Sequence, residues 1–595
     1  DTISVETLSS IPSSLLIMDM NDKYHTASLD KSDEDDDDDN DSGIVAGKST
    51  YLHIGMESGV YARLKLDTRT GELSEPTNKF IGPKALALSS VKLMGQNVVA
   101  ICSTKVFLGY TGSKSGLSLT PLAPPVFGGI CSFVSEDCPV NGILGIHENN
   151  LHIMTVDQLD NDFVIDSIGL RYTPRAMVDN SEDSGLVYIC EGEFNIQSPF
   201  IEIDDEEVDT KNGEIVTSEY DQELHAYYQQ FGYPYKSGFS GSCLQVIDVK
   251  SREVVQTIEL LNDEVAFRIS KVVFESNSDN SYIVVSTAVK LKMDSNTSDE
   301  TYLRVYKIEE SGSLSFVHKT KTGYLSLAVT EFQGHLLCGM KDVLTMYDLG
   351  IKQLLKKSVT KIDGFNEIVD IKSQGFRLSL SDNRNSVKFV VYKPLEKLFI
   401  PFIDDIVQRY TTSTVFLDYR TVLGGDRFGN LWVLRCPEDE SKLADSDSHG
   451  MTLINKEGFC NGSPYRFQNE CKFYIQDIPT SFSRGSLIAG GSESVFYTGL
   501  QGTIGVVTPI TSKSDYHFFQ TLQKLVAQNY DNLTERDNLK YRSYYSPRRC
   551  VIDGDLVEKY LDLPFDKRDT IAVKMELSPE QINKRILDMR SRIVY

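Results

Sequence analysis

Val422-Leu-Gly-Gly-Asp-Arg-Phe-Gly-Asn-Leu-Trp-Val433 carries the reading of the fold. An apolar run ends in glycine, a few polar residues with another glycine follow, and a second apolar run begins. That order describes two short strands joined by a tight hairpin. The same order recurs at Leu52-His-Ile-Gly-Met-Glu-Ser-Gly-Val-Tyr61 and at Val495-Phe-Tyr-Thr-Gly-Leu-Gln-Gly-Thr-Ile-Gly-Val-Val507. Gly424-Gly425-Asp426, like Gly71, is expected to supply the positive-φ positions of such reversals.

Short apolar runs of strand length surround these hairpins, among them Val98-Val-Ala-Ile-Cys102, Leu186-Val-Tyr-Ile-Cys190, Tyr282-Ile-Val-Val-Ser-Thr-Ala288 and Leu336-Leu-Cys-Gly-Met340. Helical periodicity is nearly absent before residue 515. A single core cannot serve 595 residues, so several units are expected. Four-stranded blades of roughly 40–50 residues fit the spacing of the hairpins. The fold class is therefore all-β, with one partial and one complete seven-bladed β-propeller followed by a small α-helical C-terminal domain. Residues 171–515 are expected to form the complete ring. Residues 1–170 would then be the last blades of a preceding ring, and Asp1 suggests a piece of a longer chain.

The helical domain is assigned to 516–595. Phe519, Leu522 and Val526 share one face of a helix over 516–529. Ser578-Pro-Glu-Gln581 has the form of a capping box with proline at the first helical position. Ile582, Ile586, Met589 and Ile593 follow as one apolar stripe, expected to dock the tail on a propeller or a partner.

Net charge is −25, which opposes general nucleic-acid binding. Two acidic stretches, near 31–43 and 201–221, look like insertions, and blocks of like charge usually stay solvated. Ten cysteines lie scattered without CxxC spacing, which suits a reducing compartment. No 18-residue apolar run is present, so no membrane-spanning helix is expected.

Several segments, in order, resemble a known family: Thr70-Gly-Glu-Leu-Ser74, Leu119-Thr-Pro-Leu122, Ser135-Glu-Asp-Cys-Pro139, Tyr172-Thr-Pro-Arg175, Asp426-Arg-Phe-Gly-Asn430, Gly502-Thr-Ile-Gly505, Arg542-Ser-Tyr-Tyr545 and Val551-Ile-Asp-Gly-Asp-Leu556. The chain is similar to the C-terminal half of the three-propeller family. That family holds splicing factor 3b subunit 3, DNA damage-binding protein 1 and the large subunit of the cleavage and polyadenylation specificity factor. Ser135–Pro139, Tyr172–Arg175 and Arg542–Tyr545 resemble its splicing factor 3b branch.

The resemblance implies a non-enzymatic, nuclear scaffold subunit of splicing factor 3b, within the small nuclear ribonucleoprotein that recognises the branch site. The implied partners are a HEAT-repeat large subunit, a small helical subunit and a small zinc-binding subunit. The other branches imply an adaptor of a cullin ubiquitin ligase or of the mRNA 3′-end cleavage and polyadenylation machinery.

No cofactor, metal or catalytic residue is expected. His147 and His152 lie five residues apart near Cys131 and Cys138, but isolated strand cysteines are usually core filler and a site needs converging ligands. Asp555 reads as a helix N-cap beside Asp553. Arg542, Tyr544, Tyr545, Arg548 and Arg549 are the one basic-aromatic stretch that could face RNA or a partner. The competing reading is that the tyrosines dock the tail on the propeller while the arginines pair with its acidic face.

Overall fold

A computed structural model describes residues 5, 7–22, 47–111, 117–122, 126–135, 141–156, 167–180, 185–196, 214–217, 227–228, 230–261, 263–292, 297–456, 462–487, 491–530 and 537–593, with the single positions 159, 198 and 458. The acidic run at 31–43 and Cys138 lie outside them, as does most of 201–221.

Nine sheets follow one another along the described residues, almost wholly antiparallel. The first three, within Pro12–Asp22 to Asn150–Thr155, hold four, four and three strands. Six more lie between Pro174 and Val507. Their first strands (Pro174–Asp179, Glu264–Phe274, Ala328–Phe332, Ile368–Gln374, Thr411–Asp418 and Pro479–Gly485) pack each against the next. This is how propeller blades sit around an axis.

Burial explains why whole runs are apolar and do not alternate. Val98, Val99, Ala100 and Ile101 are all fully buried, because a blade between two others covers both faces of its middle strands. The cores accordingly lie between sheets. Tyr188, Val246 and Ile258 of the fourth sheet pack with Ala266, Ile283, Val285 and Tyr306 of the fifth.

The span expected to hold seven blades shows six sheets among its described residues. Two connections within sheets of this span are long. One runs from Ile196 to Tyr235 between paired strands of the fourth sheet, and it returns Glu214–Thr217 as a fifth, outer strand. The other leaves the eighth sheet after Arg435, forms helices Glu438–Ser446 and Met451–Ile454, and lays Tyr465–Arg466 parallel to Leu398–Asp404 of the seventh.

The opening hairpin forms as read, with Gly424 opposite Trp432. Its glycines act differently from expectation. Gly429, at φ +88°, makes the turn, whereas Gly424 and Gly425 lie inside the strand Thr421–Asp426. They are required for space: a Cβ on Gly424 would fall 2.2 Å from the Trp432 ring, and one on Gly425 2.1 Å from Pro479.

Helices Lys513–Asn529, Gly554–Glu558, Phe565–Lys574 and Pro579–Arg590 form a separate unit around Phe519, Leu522, Val526, Leu556, Tyr560 and Ile571. The capping box at Ser578 and Gln581 is present, with proline at the start of the helix.

Candidate interaction surface

The segment 541–555, between the last sheets and the helical unit, is a clamp. Asp426, fully buried, closes the hairpin turn: one carboxylate oxygen accepts from the Phe428 and Asn430 amides, each at 2.9 Å. The other accepts from Asn430 Nδ2 at 2.9 Å and from Tyr545 Oη at 2.5 Å. Burial and this bond to a carboxylate raise the Tyr545 phenol above its ordinary pKa. Tyr544 stacks on Tyr474, with centroids 5.5 Å apart and planes at 21°. Lys472 and Arg549 exchange backbone hydrogen bonds of 3.1 and 2.9 Å, so the segment adds briefly to the edge of the eighth sheet.

The arginines are divided. Arg542 is buried; its Nε donates to Asp553 at 2.9 Å and its terminal nitrogen to Asp555 at 2.5 Å. These acids belong to the tail, so Arg542 braces the tail internally and does not meet an acidic propeller face. The Asp553 amide in turn donates to Gln523 of the first tail helix at 2.8 Å. Asp553, and not Asp555, occupies the helix N-cap position, and its side chain serves Arg542 and Asn538 instead of the helix amides. Arg548 donates to Asn538 at 2.6 Å, while the Arg549 side chain is exposed.

Tyr544 docks on the propeller through its stack on Tyr474, and Tyr545 through Asp426 and an edge-to-face contact with Phe428. They remain 52% and 58% exposed, beside exposed Phe428 and an Arg427 guanidinium 4.2 Å from the Tyr410 ring. The result is an aromatic and basic patch built from both the hairpin turn and the tail. Ile582 and Ile586, at 0% and 3% exposure, face the helical unit's own core with Met589 packed against it. Ile593 lies past the helix end, half-buried. The stripe is thus consumed within the tail; periodicity identified the face and not what covers it.

Two buried clusters were not singled out from sequence. Arg304, fully buried on the fifth sheet, donates to Glu264 at 2.6 Å and to Glu214 at 3.0 Å, so an acidic-stretch residue becomes a core partner. In the fourth sheet, Tyr172 Oη donates to Glu259 at 2.5 Å and its amide to Glu191 at 2.8 Å. Burial pushes the Glu191 carboxyl up to about 8. His147 and His152 meet edge to face at 6.1 Å, and no group of three or more metal-ligating side chains exists among the described residues. No helix among them is long and apolar enough to cross a membrane.

Comparison with known proteins adds direct findings. Residues 241–562 match the family described as the CPSF A subunit region, and residues 1–156 match the RSE1/DDB1/CPSF1 second beta-propeller. The chain is 39% identical over its whole length to the pre-mRNA-splicing factor rse1 of Emericella nidulans, covering 47% of that protein. It is 36% identical to the pre-mRNA-splicing factor prp12 of Schizosaccharomyces pombe over its whole length and 46% of that protein. A probable splicing factor 3B subunit 3 of Dictyostelium discoideum is 30% identical over 92% of this chain and 44% of its own. The chain spans about half the length of the curated relatives it matches.

Proposed function

Because the chain belongs to the CPSF A subunit region family and is built of sheets in series with a helical tail, we propose that it is a scaffold part of a nuclear pre-mRNA-splicing complex. The observation that carries this is likeness to proteins named as splicing factors along the full chain, tail included. The role is non-enzymatic: propeller faces and the grooves beside them bind partners without chemistry. The partners are the HEAT-repeat large subunit, the small helical subunit and the small zinc-binding subunit of splicing factor 3b. The patch of Tyr544, Tyr545, Arg549, Arg427 and Phe428 is partner-facing, with RNA contact at most peripheral, since long-range attraction of RNA opposes a body of charge −25.

Residues 1–170 are arc blades of one ring and 171–515 the body of the next. Leu15 and Ile17 on the first sheet and Leu151 and Ile153 on the third stay exposed, which supports an arc that further blades cover. Affinity purification of the full-length protein followed by mass spectrometry tests the function. Recovery of splicing factor 3b subunits is expected; recovery of a cullin or of 3′-end processing factors in their place overturns it.

A further inference from the structure

The backbone exchange between Lys472 and Arg549 places Cys471 opposite Cys550 as the next pair outward. Lys472–Arg549 is an isolated antiparallel bridge, and Cys471 and Cys550 are the residues that flank it on the same side. A disulfide needs Cα atoms roughly 4.4–6.8 Å apart. Cys471 Sγ already lies 3.5 Å from the Cys550 carbonyl oxygen, and the ladder ends at Cys550, where φ is +50°. The remaining described cysteines are buried except Cys131, which sits far off on the third sheet.

We propose that Cys471 and Cys550 are an oxidation-sensitive pair, a modification site at which one intramolecular disulfide locks the tail segment onto the eighth sheet. The oxidant is of the peroxide class. Exposed Cys550 meets it first: its thiolate attacks one peroxide oxygen, the O–O bond breaks, and a sulfenic acid and hydroxide form. Cys471 then attacks that sulfur; the S–S bond forms, the S–O bond breaks, and the oxygen leaves as water with the Cys471 proton. The two thiols lose two electrons and the peroxide gains them. Burial, with Cys550 beside it, pushes the Cys471 thiol up to about 11, which keeps it protonated and slow until a sulfenic acid is presented. A transient, inducible bond of this kind is compatible with a reducing compartment.

The test treats the full chain with hydrogen peroxide, blocks free thiols with a maleimide under denaturing conditions, and digests it with trypsin without reduction. Peptide 467–472 linked to peptide 550–559 is expected, lost on adding dithiothreitol. Oxidation should slow proteolysis within 541–550 several-fold in the wild type and leave it unchanged in Cys471→Ser. Maleimide on Cys471 after peroxide treatment, a Cys550 carried to sulfinic acid unlinked, or equal protection in both proteins overturns the proposal.

Discussion

Tyr545 Oη donates to the buried Asp426 carboxylate at 2.5 Å, joining the tail to a hairpin turn 119 residues earlier. Asp426 has amide donors of its own, so the turn does not depend on Tyr545. The tail does. Tyr545→Phe removes only the hydroxyl and is expected to weaken docking by about 1.5–3 kcal/mol, the range for hydrogen bonds to charged groups. Tyr544→Ala, which removes the stack on Tyr474, should cost about 0.5–1.5 kcal/mol beyond lost area. Native-state proteolysis of the 541–550 segment reads both; a Tyr545→Phe rate equal to wild type would sink the idea.

A pH dependence follows from Glu191. Its folded pKa of about 8 exceeds the ordinary carboxylate value of 4.5, because burial disfavours the charge. Glu259 beside it is also raised, burial again being the first cause. Between those pH values the unfolded chain has lost a proton that the folded one keeps. The contribution of Glu191 to stability is therefore full below about 4.5, falls as pH rises toward 8, and levels off above it, with a slope approaching about 1.4 kcal/mol per pH unit per proton. Glu191→Gln keeps the shape without the charge, so melting curves from pH 5 to 9 should be flatter than for wild type. Parallel curves would exclude Glu191 as the source.

The last tail helix offers a cleaner contrast. Ile586 is 3% exposed within the helical core, whereas Lys584 on the same helix is exposed. Ile586→Asp removes a side chain whose burial is worth about 1.5–3 kcal/mol and buries a carboxylate without a partner. It should melt the helical unit, seen as lost far-ultraviolet helical signal at a lower temperature. Lys584→Ala should change stability by about 0.5 kcal/mol or less. Equal melting of the two variants would contradict the packing described.

The strand runs, the Trp432 hairpin, the helical tail and its capping box were legible in the sequence, because each rests on local periodicity or on residues three positions apart. Long-range partners were not. Gly424 and Gly425 look like turn residues until Trp432 and Pro479 occupy the space a side chain would need. Sequence reasoning assigns Arg542 to RNA or a partner, or else to an acidic propeller face, and only the fold brings Asp553 and Asp555 to it. Helices Glu438–Ser446 and Met451–Ile454 were not legible either, since hairpin spacing says nothing of what lies between two strands of one sheet.

The Glu214–Arg304 bond changes what can be trimmed from this chain. Read as a surface loop, the acidic stretch near 201–221 is an obvious segment to shorten when making a more compact variant. Its strand Glu214–Thr217 is instead a cross-brace between two neighbouring sheets, and Tyr306 Oη also donates to Glu214 at 2.8 Å. Cutting through Glu214 would strip buried Arg304 of one of its two carboxylates, and removing one partner of a buried ion pair costs about 3–5 kcal/mol. Any excision has to spare Glu214–Thr217, the outer strand and its anchor.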